Sequence, residues 1–263
     1  MKKYKISTKY RLIKTKIPAS ESLALFQRMQ KYEVKDMYDH EMPVIWDRTD
    51  DFQIEDKWGN KWIDFTSGIF VANVGHCAKE VANAIAEKLS NKLIHSYVFP
   101  NDSRIKLIKK LCQITKMDKV LLTVTGSEAN DAVIQIMQRR KKGKILSIKG
   151  AYYGSTSACR LLVENTIDET MNPDKVKPDK ISGVFLQTFR GRDAKFMPYD
   201  WIKTWVKWAQ RKNIPVGFDE MQSGFARTGK YFGFQHFDIQ PDFITVGKAL
   251  GGALGGYVAG KKE

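Results

Sequence analysis

VGFDEMQSGFARTGKYFGFQHFDIQPDFITVGKALGG, residues 216–252, holds two short apolar runs, each ending in a residue suited to chemistry. Val216–Phe218 and Phe243–Val246 are predicted as buried strands. The first runs into Asp219-Glu220-Met221-Gln222. A carboxylate at a buried strand end needs a positive partner. A cationic heterocycle nitrogen would serve, and so would one of the chain's many Lys and Arg side chains. The second run ends in Gly247-Lys248, followed by further glycines. A lysine there is partly desolvated, which favours the neutral amine and makes a nucleophile able to form a Schiff base. The plain alternative is a surface lysine.

Working outward, the same alternation continues upstream. Val120–Val124, Lys144–Ile148 and Gly183–Leu186 are predicted strands. Helices are predicted between them. Val81, Ile85 and Leu89 share one helical face, Ile105, Ile108, Leu111 and Cys112 a second, and Val133, Ile136, Met137 and Arg140 a third, within 129–140. Trp201, Trp205 and Trp208 form a stripe that either packs on a sheet or stacks on bases, and packing is the commoner use. Short apolar strands separated by helices define an α/β domain with a mostly parallel sheet flanked by helices. Before it, residues 20–38 are predicted as a helix capped by Ser20 or Ser22, and FQIEDKWGNKWIDF (52–65) as a hairpin turning at Lys57–Asn60. A Gly-bearing loop, SGIFVANVGH, follows.

In open parallel sheets ligands sit at the carboxyl ends of the strands, so the loops there matter most. Thr125-Gly126-Ser127-Glu128 opens a helix whose free N–H groups suit an anion such as a phosphate. It is equally an ordinary strand-to-helix turn capped by Thr125 or Ser127. Gly150-Ala151-Tyr152-Tyr153-Gly154 places two aromatics between glycines, either against a planar ring or as a plug over the loop. Gly224–Lys230 fits GxxxxGK, but Tyr231 replaces the Ser/Thr that would hold magnesium, so it is not a phosphate loop. His40, His76, His95 and His236 lack ligand spacing, and no metal site is predicted.

The chain is 263 residues, 43% hydrophobic and 28% charged, which excludes disorder and allows one or two domains. It lacks the ~18 consecutive apolar residues of a membrane helix. Its basic N-terminus has no apolar core behind it, so no secretory signal is predicted. The 3 cysteines are widely spaced and are read as reduced thiols of a cytoplasmic protein. The net charge of +15 raises nucleic-acid binding as a function. The basic residues are spread thinly, however, and the densest run, Arg139–Lys144, follows a helical pattern in which the Lys and Arg before Gly143 complement the helix dipole.

WGNKWIDFTSGIFVANVGH, TGSEAND, GAYYGST and the long stretch from Phe218 to Gly256 together resemble the class III, ω-aminotransferase-like branch of fold-type I pyridoxal-phosphate (PLP) enzymes, over about residues 43–260. The resemblance implies a fold-type I major domain at 66–263, incomplete at its C-terminus. Residues 1–65 would belong to the small domain. It implies PLP as cofactor and amino transfer between an amine or amino acid and a keto acid. It assigns Lys248 as the catalytic lysine bonded to the cofactor. Asp219 faces the pyridine nitrogen, Gln222 the phenolic oxygen, Gly126 and Ser127 the phosphate, and Tyr152 the ring face. It implies a homodimer, and no membrane or nucleic-acid partner. A lyase, decarboxylase or aminomutase of the same fold, or a non-catalytic PLP-binding remnant, is the alternative. The chain departs from the family pattern at Tyr153, where a His is usual, at Gln187 for a Glu, and at Met221 for a small aliphatic. The family also continues well past the lysine, so the chain resembles a fragment.

Overall fold

The computed structural model describes residues 5–35, 41–93, 96, 98–250 and 256–261. Contacts divide the chain into two units, Met1–Glu87 and Lys88–Glu263. The sequence suggests a division at 65/66. The glycine loop after it is tied backwards, because His76 N donates to Asp51 O at 2.6 Å and Asp64 accepts from Gly68 N at 2.7 Å and from His76 Nε2 at 2.8 Å.

The first unit carries a five-stranded antiparallel sheet in the order β1-β2-β5-β4-β3. Its strands are β1 (Ile6–Ser7), β2 (Leu12–Ile13), β3 (Trp46–Asp50), β4 (Gln53–Asp56) and β5 (Lys61–Ile63). The expected hairpin is β4–β5, with Ile54 opposite Trp62. Gly59 at φ +76° makes its turn. Asn60 is fully buried and ties that turn to Asp56 and to the backbone of Lys14 and Thr15. The N-terminal helix is shorter than predicted: α1 covers Ser20–Met29, turns follow at 30–32, and 36–38 lie outside the described residues. Neither serine caps it. Ala19 occupies the cap, and Ser22 is buried inside the helix with its hydroxyl donating to Pro43 O. Helix α2 (Lys79–Ser90) forms as the spacing predicts, although Ile85 and Leu89 are exposed.

The second unit is the α/β domain. Its seven-stranded sheet has the order β6-β14-β13-β12-β9-β7-β8. The strands are β6 (Lys119–Thr123), β7 (Lys144–Ile148), β8 (Thr166–Ile167), β9 (Ile181–Leu186), β12 (Val216–Asp219), β13 (Phe243–Gly247) and β14 (Gly256–Gly260). A small separate hairpin, β10 (Phe189–Arg190) with β11 (Lys195–Phe196), follows β9. β8, β7, β9, β12 and β13 run parallel, and β14 runs antiparallel between β13 and β6. The helices are α3 (Asp102–Thr115), α4 (Gly126–Arg140), α5 (Ser157–Leu161) and α6 (Tyr199–Arg211).

Every residue of β9, β12 and β13 is buried, which explains why they are apolar apart from Ser182, Asp219 and Thr245. On α4, Val133 and Met137 are fully buried in the core. Met137 lies over two glycines of the sheet: a Cβ at Gly217 would meet its Cε at 3.1 Å, and one at Gly183 would overlap its sulfur. Trp205 and Trp208 of α6 are buried in the same core, so the tryptophan stripe packs rather than stacking on bases. No helix among the described residues is long and apolar enough to cross a membrane.

Candidate active site

Register places the chemistry. Asp219, the last residue of β12, pairs with Thr245 of β13, and Lys248 follows one residue after β13 ends. Phe218 pairs with Leu186 of β9, so Gln187 emerges beside Asp219. The loops after β6 and β7 reach the same edge. Together they enclose a cavity of about 210 Å³ lined by Gly126, Ser127, Tyr152, Asp219, Gln222 and Lys248, among others. All the residues assigned to the site from sequence therefore meet around one space sized for a single substituted ring.

At the mouth of α4, Thr125 caps the helix: its hydroxyl accepts from Glu128 N at 3.2 Å, and Glu128 Oε2 accepts from Thr125 N at 2.8 Å and Val124 N at 2.9 Å. The N–H groups of Gly126 and Ser127 are not engaged by this box and remain at the positive end of the helix. Ser127 Oγ accepts from Ser155 N at 3.2 Å and lies against Gly154, whose φ of +125° and missing Cβ allow that approach.

The two tyrosines separate. Tyr152 is 57% exposed and lines the cavity. Tyr153 is buried, donates its hydroxyl to Phe185 O at 2.8 Å and accepts from Ile148 N at 3.1 Å, pinning β7 to β9. The residue at the family's histidine position is therefore a structural plug.

Asp219 is 4% exposed. Burial pushes its carboxyl above the usual range, while hydrogen bonds from Met221 N, Gln187 and Asn130 and the nearby charge of Lys248 pull it back. Met221 N donates to Oδ1 at 2.9 Å. Gln187 Nε2 and Asn130 Nδ2 donate to Oδ2 at 2.9 Å and 3.0 Å. The acid is oriented by amides and a peptide N–H, and a cation entering the cavity would stabilise its charged form. Lys248 is half-buried at φ +44°, a left-handed conformation that costs a non-glycine residue about 1–3 kcal/mol. Burial lowers its amine pKa, the charge of Asp219 opposes that, and Arg227 adds to it. Gln222 is half-buried, and its amide end fills the space that a side chain at position 191 would take.

Asn130 and Thr245 were not foreseen. Thr245 Oγ1 donates to Asn130 Oδ1 at 2.6 Å, which fixes the amide with its donors towards Asp219. A threonine inside an otherwise apolar buried strand was the available signal for it. Gln187, noted only as a departure, is part of this network. Gly224–Lys230 runs as turns and bends and is followed by a short 3-10 helix at Gly233–Phe237 rather than by the α-helix of a phosphate loop. Among the described residues no group of His, Cys, Asp and Glu could hold a metal ion, and His40 and His95 lie outside them.

The family model Aminotransferase class-III matches residues 34–166 and 161–261. The chain is 30% identical over 246 residues to acetylornithine aminotransferase of Methanocaldococcus jannaschii, covering 81% of this chain and 60% of that protein. It is 29% identical over 231 residues to acetylornithine aminotransferase of Bacillus subtilis, covering 80% and 60%. The fold matches ornithine aminotransferase of Toxoplasma gondii with a TM-score of 0.81 at 21% identity, covering 92% of this chain and 64% of that one. It matches an S-selective transaminase of Arthrobacter sp. with a TM-score of 0.80 at 21% identity, covering 91% and 64%. The chain therefore spans about 60% of the length of the curated relatives it matches. Two family matches that together cover most of the sequence, over the same loops that line the cavity, place this chain in the class III aminotransferase family.

Proposed function

We propose that the cavity binds PLP and that the chain carries the cofactor-binding part of an aminotransferase, moving an amino group between an amine or amino acid and a keto acid. The observation that carries this is Lys248 and Asp219 lining one cavity with the N-terminus of α4. The donor set fits the group. Gly126 and Ser127 offer N–H groups for a phosphate, and the desolvated Asp219 offers a negative partner for a protonated ring nitrogen. Tyr152 offers an exposed ring face, and Gln222 an amide for the phenolic oxygen. When bound, PLP supplies the electron sink that makes the proton beside the substrate's amino group removable. The chain's own residues do the rest. Lys248 Nζ, with its lowered pKa, is the amine that would hold the cofactor and, once displaced by the substrate's amine, would take up and return the substrate proton. Asp219 holds positive charge at the ring nitrogen through that transfer. The same fold also serves PLP lyases, and donor screening separates the two. We extend the proposal to a homodimer, as the family resemblance implies, and to a cytoplasmic protein, which the free Cys77, Cys112 and Cys159 support.

The test is to incubate the purified chain with PLP, reduce with borohydride and locate the pyridoxyl group by peptide mapping. A label on Lys248 is expected. A label on another lysine, such as Lys230, overturns the assignment.

A further inference from the structure

Two side-chain amides flank Asp219 in the same way. Gln187 Nε2 donates to Asp219 Oδ2 at 2.9 Å and to Tyr152 O at 2.7 Å. Asn130 Nδ2 donates to the same Oδ2 at 3.0 Å and to Tyr153 O at 2.6 Å. Each NH₂ thus spends both hydrogens bridging one carboxylate oxygen to one of two consecutive peptide carbonyls. Gln187 is 5% exposed and Asn130 1%, so neither pair of bonds competes with bulk water. Gln187 comes from the end of β9, Asn130 from the first turns of α4, Asp219 from β12, and the tyrosines from the loop after β7. Four separate elements are joined at a single oxygen.

We infer that Gln187 and Asn130 are positioning residues: they mount the aromatic loop on Asp219 and so set the slot between the acid and Tyr152 in which a flat ring is held. The inference rests on the cavity being the cofactor site. In this chain the amide at position 187 supplies a hydrogen to each acceptor. A carboxylate there has no hydrogen for either acceptor while ionised, and adds a second negative charge about 3 Å from the first. An apolar side chain of equal length keeps the packing but leaves Oδ2 and the Tyr152 carbonyl each one donor short.

Several groups influence Asp219 and must be held constant. Lys248 favours its charged form. Glu220, Tyr153 and Cys159 each interact electrostatically with it. None is altered by substitution at 187.

The experiment compares the wild-type chain with Gln187→Met and Gln187→Glu, each checked for folding by circular dichroism. The Asp219 carboxyl is followed by carbon NMR as a function of pH in the cofactor-free chain, with Asp219→Asn for assignment. PLP affinity is then measured by absorbance titration. Losing one hydrogen bond to a charged acceptor should raise the Asp219 midpoint by about one pH unit in Gln187→Met. Gln187→Glu should raise it further, as a coupled pair of acids. PLP affinity should fall about 10-fold or more in both. An unchanged Asp219 midpoint in Gln187→Met, or the same shift in both variants, assigns Gln187 to packing alone and overturns the inference. Failure of the wild-type chain to take PLP at Lys248 sinks the cofactor proposal instead, and the Asp219 titration still decides whether the amides hold the acid.

Discussion

Glu220 follows Asp219 but points away from the cavity, into the protein, and its burial makes a sharp prediction. It is fully buried and accepts three hydrogen bonds, from Ser223 Oγ at 2.6 Å, Gly233 N at 2.7 Å and Phe234 N at 2.8 Å. Burial raises its carboxyl pKa from the ordinary 4.5 to about 7; these bonds pull it back, and the charge of Asp219 pushes it further up. The folded state therefore holds a proton over a pH range in which the unfolded chain has lost it. Stability from this group is complete below pH 4.5 and is lost as pH rises through about 7, a change of about 3 kcal/mol. In Glu220→Gln no proton is lost. The amide oxygen can keep Ser223 and Gly233, but its NH₂ faces Phe234 N–H, at a cost of about 1–3 kcal/mol. Urea denaturation of both chains from pH 5 to pH 8 measures the outcome. The wild type should be the more stable at pH 5, and the variant should gain about 2.5 kcal/mol relative to it by pH 8. A difference that stays constant across that range refutes the account of Glu220 as a buried acid forced to ionise.

Three further outcomes are expected. Gly183→Ala should cost about 1–3 kcal/mol in urea denaturation, because its Cβ overlaps the buried sulfur of Met137. Thr245→Val keeps the shape of β13 but leaves Asn130 Oδ1 without its donor, and should cost about 1–3 kcal/mol by the same measurement. Because burial lowers the Lys248 pKa, its reaction with PLP, followed by borohydride trapping across pH, should persist to lower pH than that of a free lysine peptide.

The central strands were legible because a strand buried on both faces is mostly apolar, as β9, β12 and β13 are apart from Ser182, Asp219 and Thr245. β14 was not, since Gly256–Gly260 lies in a glycine-rich segment and becomes a strand only through its neighbours on both sides. Residues 20–38 misled because the polar face of α1 continues in composition beyond the point where its backbone turns off after Met29. In the site, Lys248 and Asp219 stood out as charges at the ends of apolar runs. Asn130 and Gln187 carry no charge and sit in ordinary helical or strand-end contexts. What gives them a role is a carboxylate 89 or 32 residues away in the chain.

The place of β14 bears on how the chain folds. β6, which leads directly into the helix start at Gly126, joins the sheet through β14 alone, with Leu121 opposite Val258 and Lys119 opposite Gly260. Parallel strands β7, β9, β12 and β13 can assemble in order along the chain, but this edge must wait for a segment more than a hundred residues downstream. Closing so long a loop is slow, and during synthesis it cannot happen until residues 256–260 have left the ribosome. Until then β6 exposes an unpaired edge, and the half of the cavity made by Gly126 and Ser127 is not yet anchored. β14 therefore both pairs β6 into the sheet and anchors the cavity wall that carries Gly126 and Ser127, so this wall forms only after the downstream strand is in place.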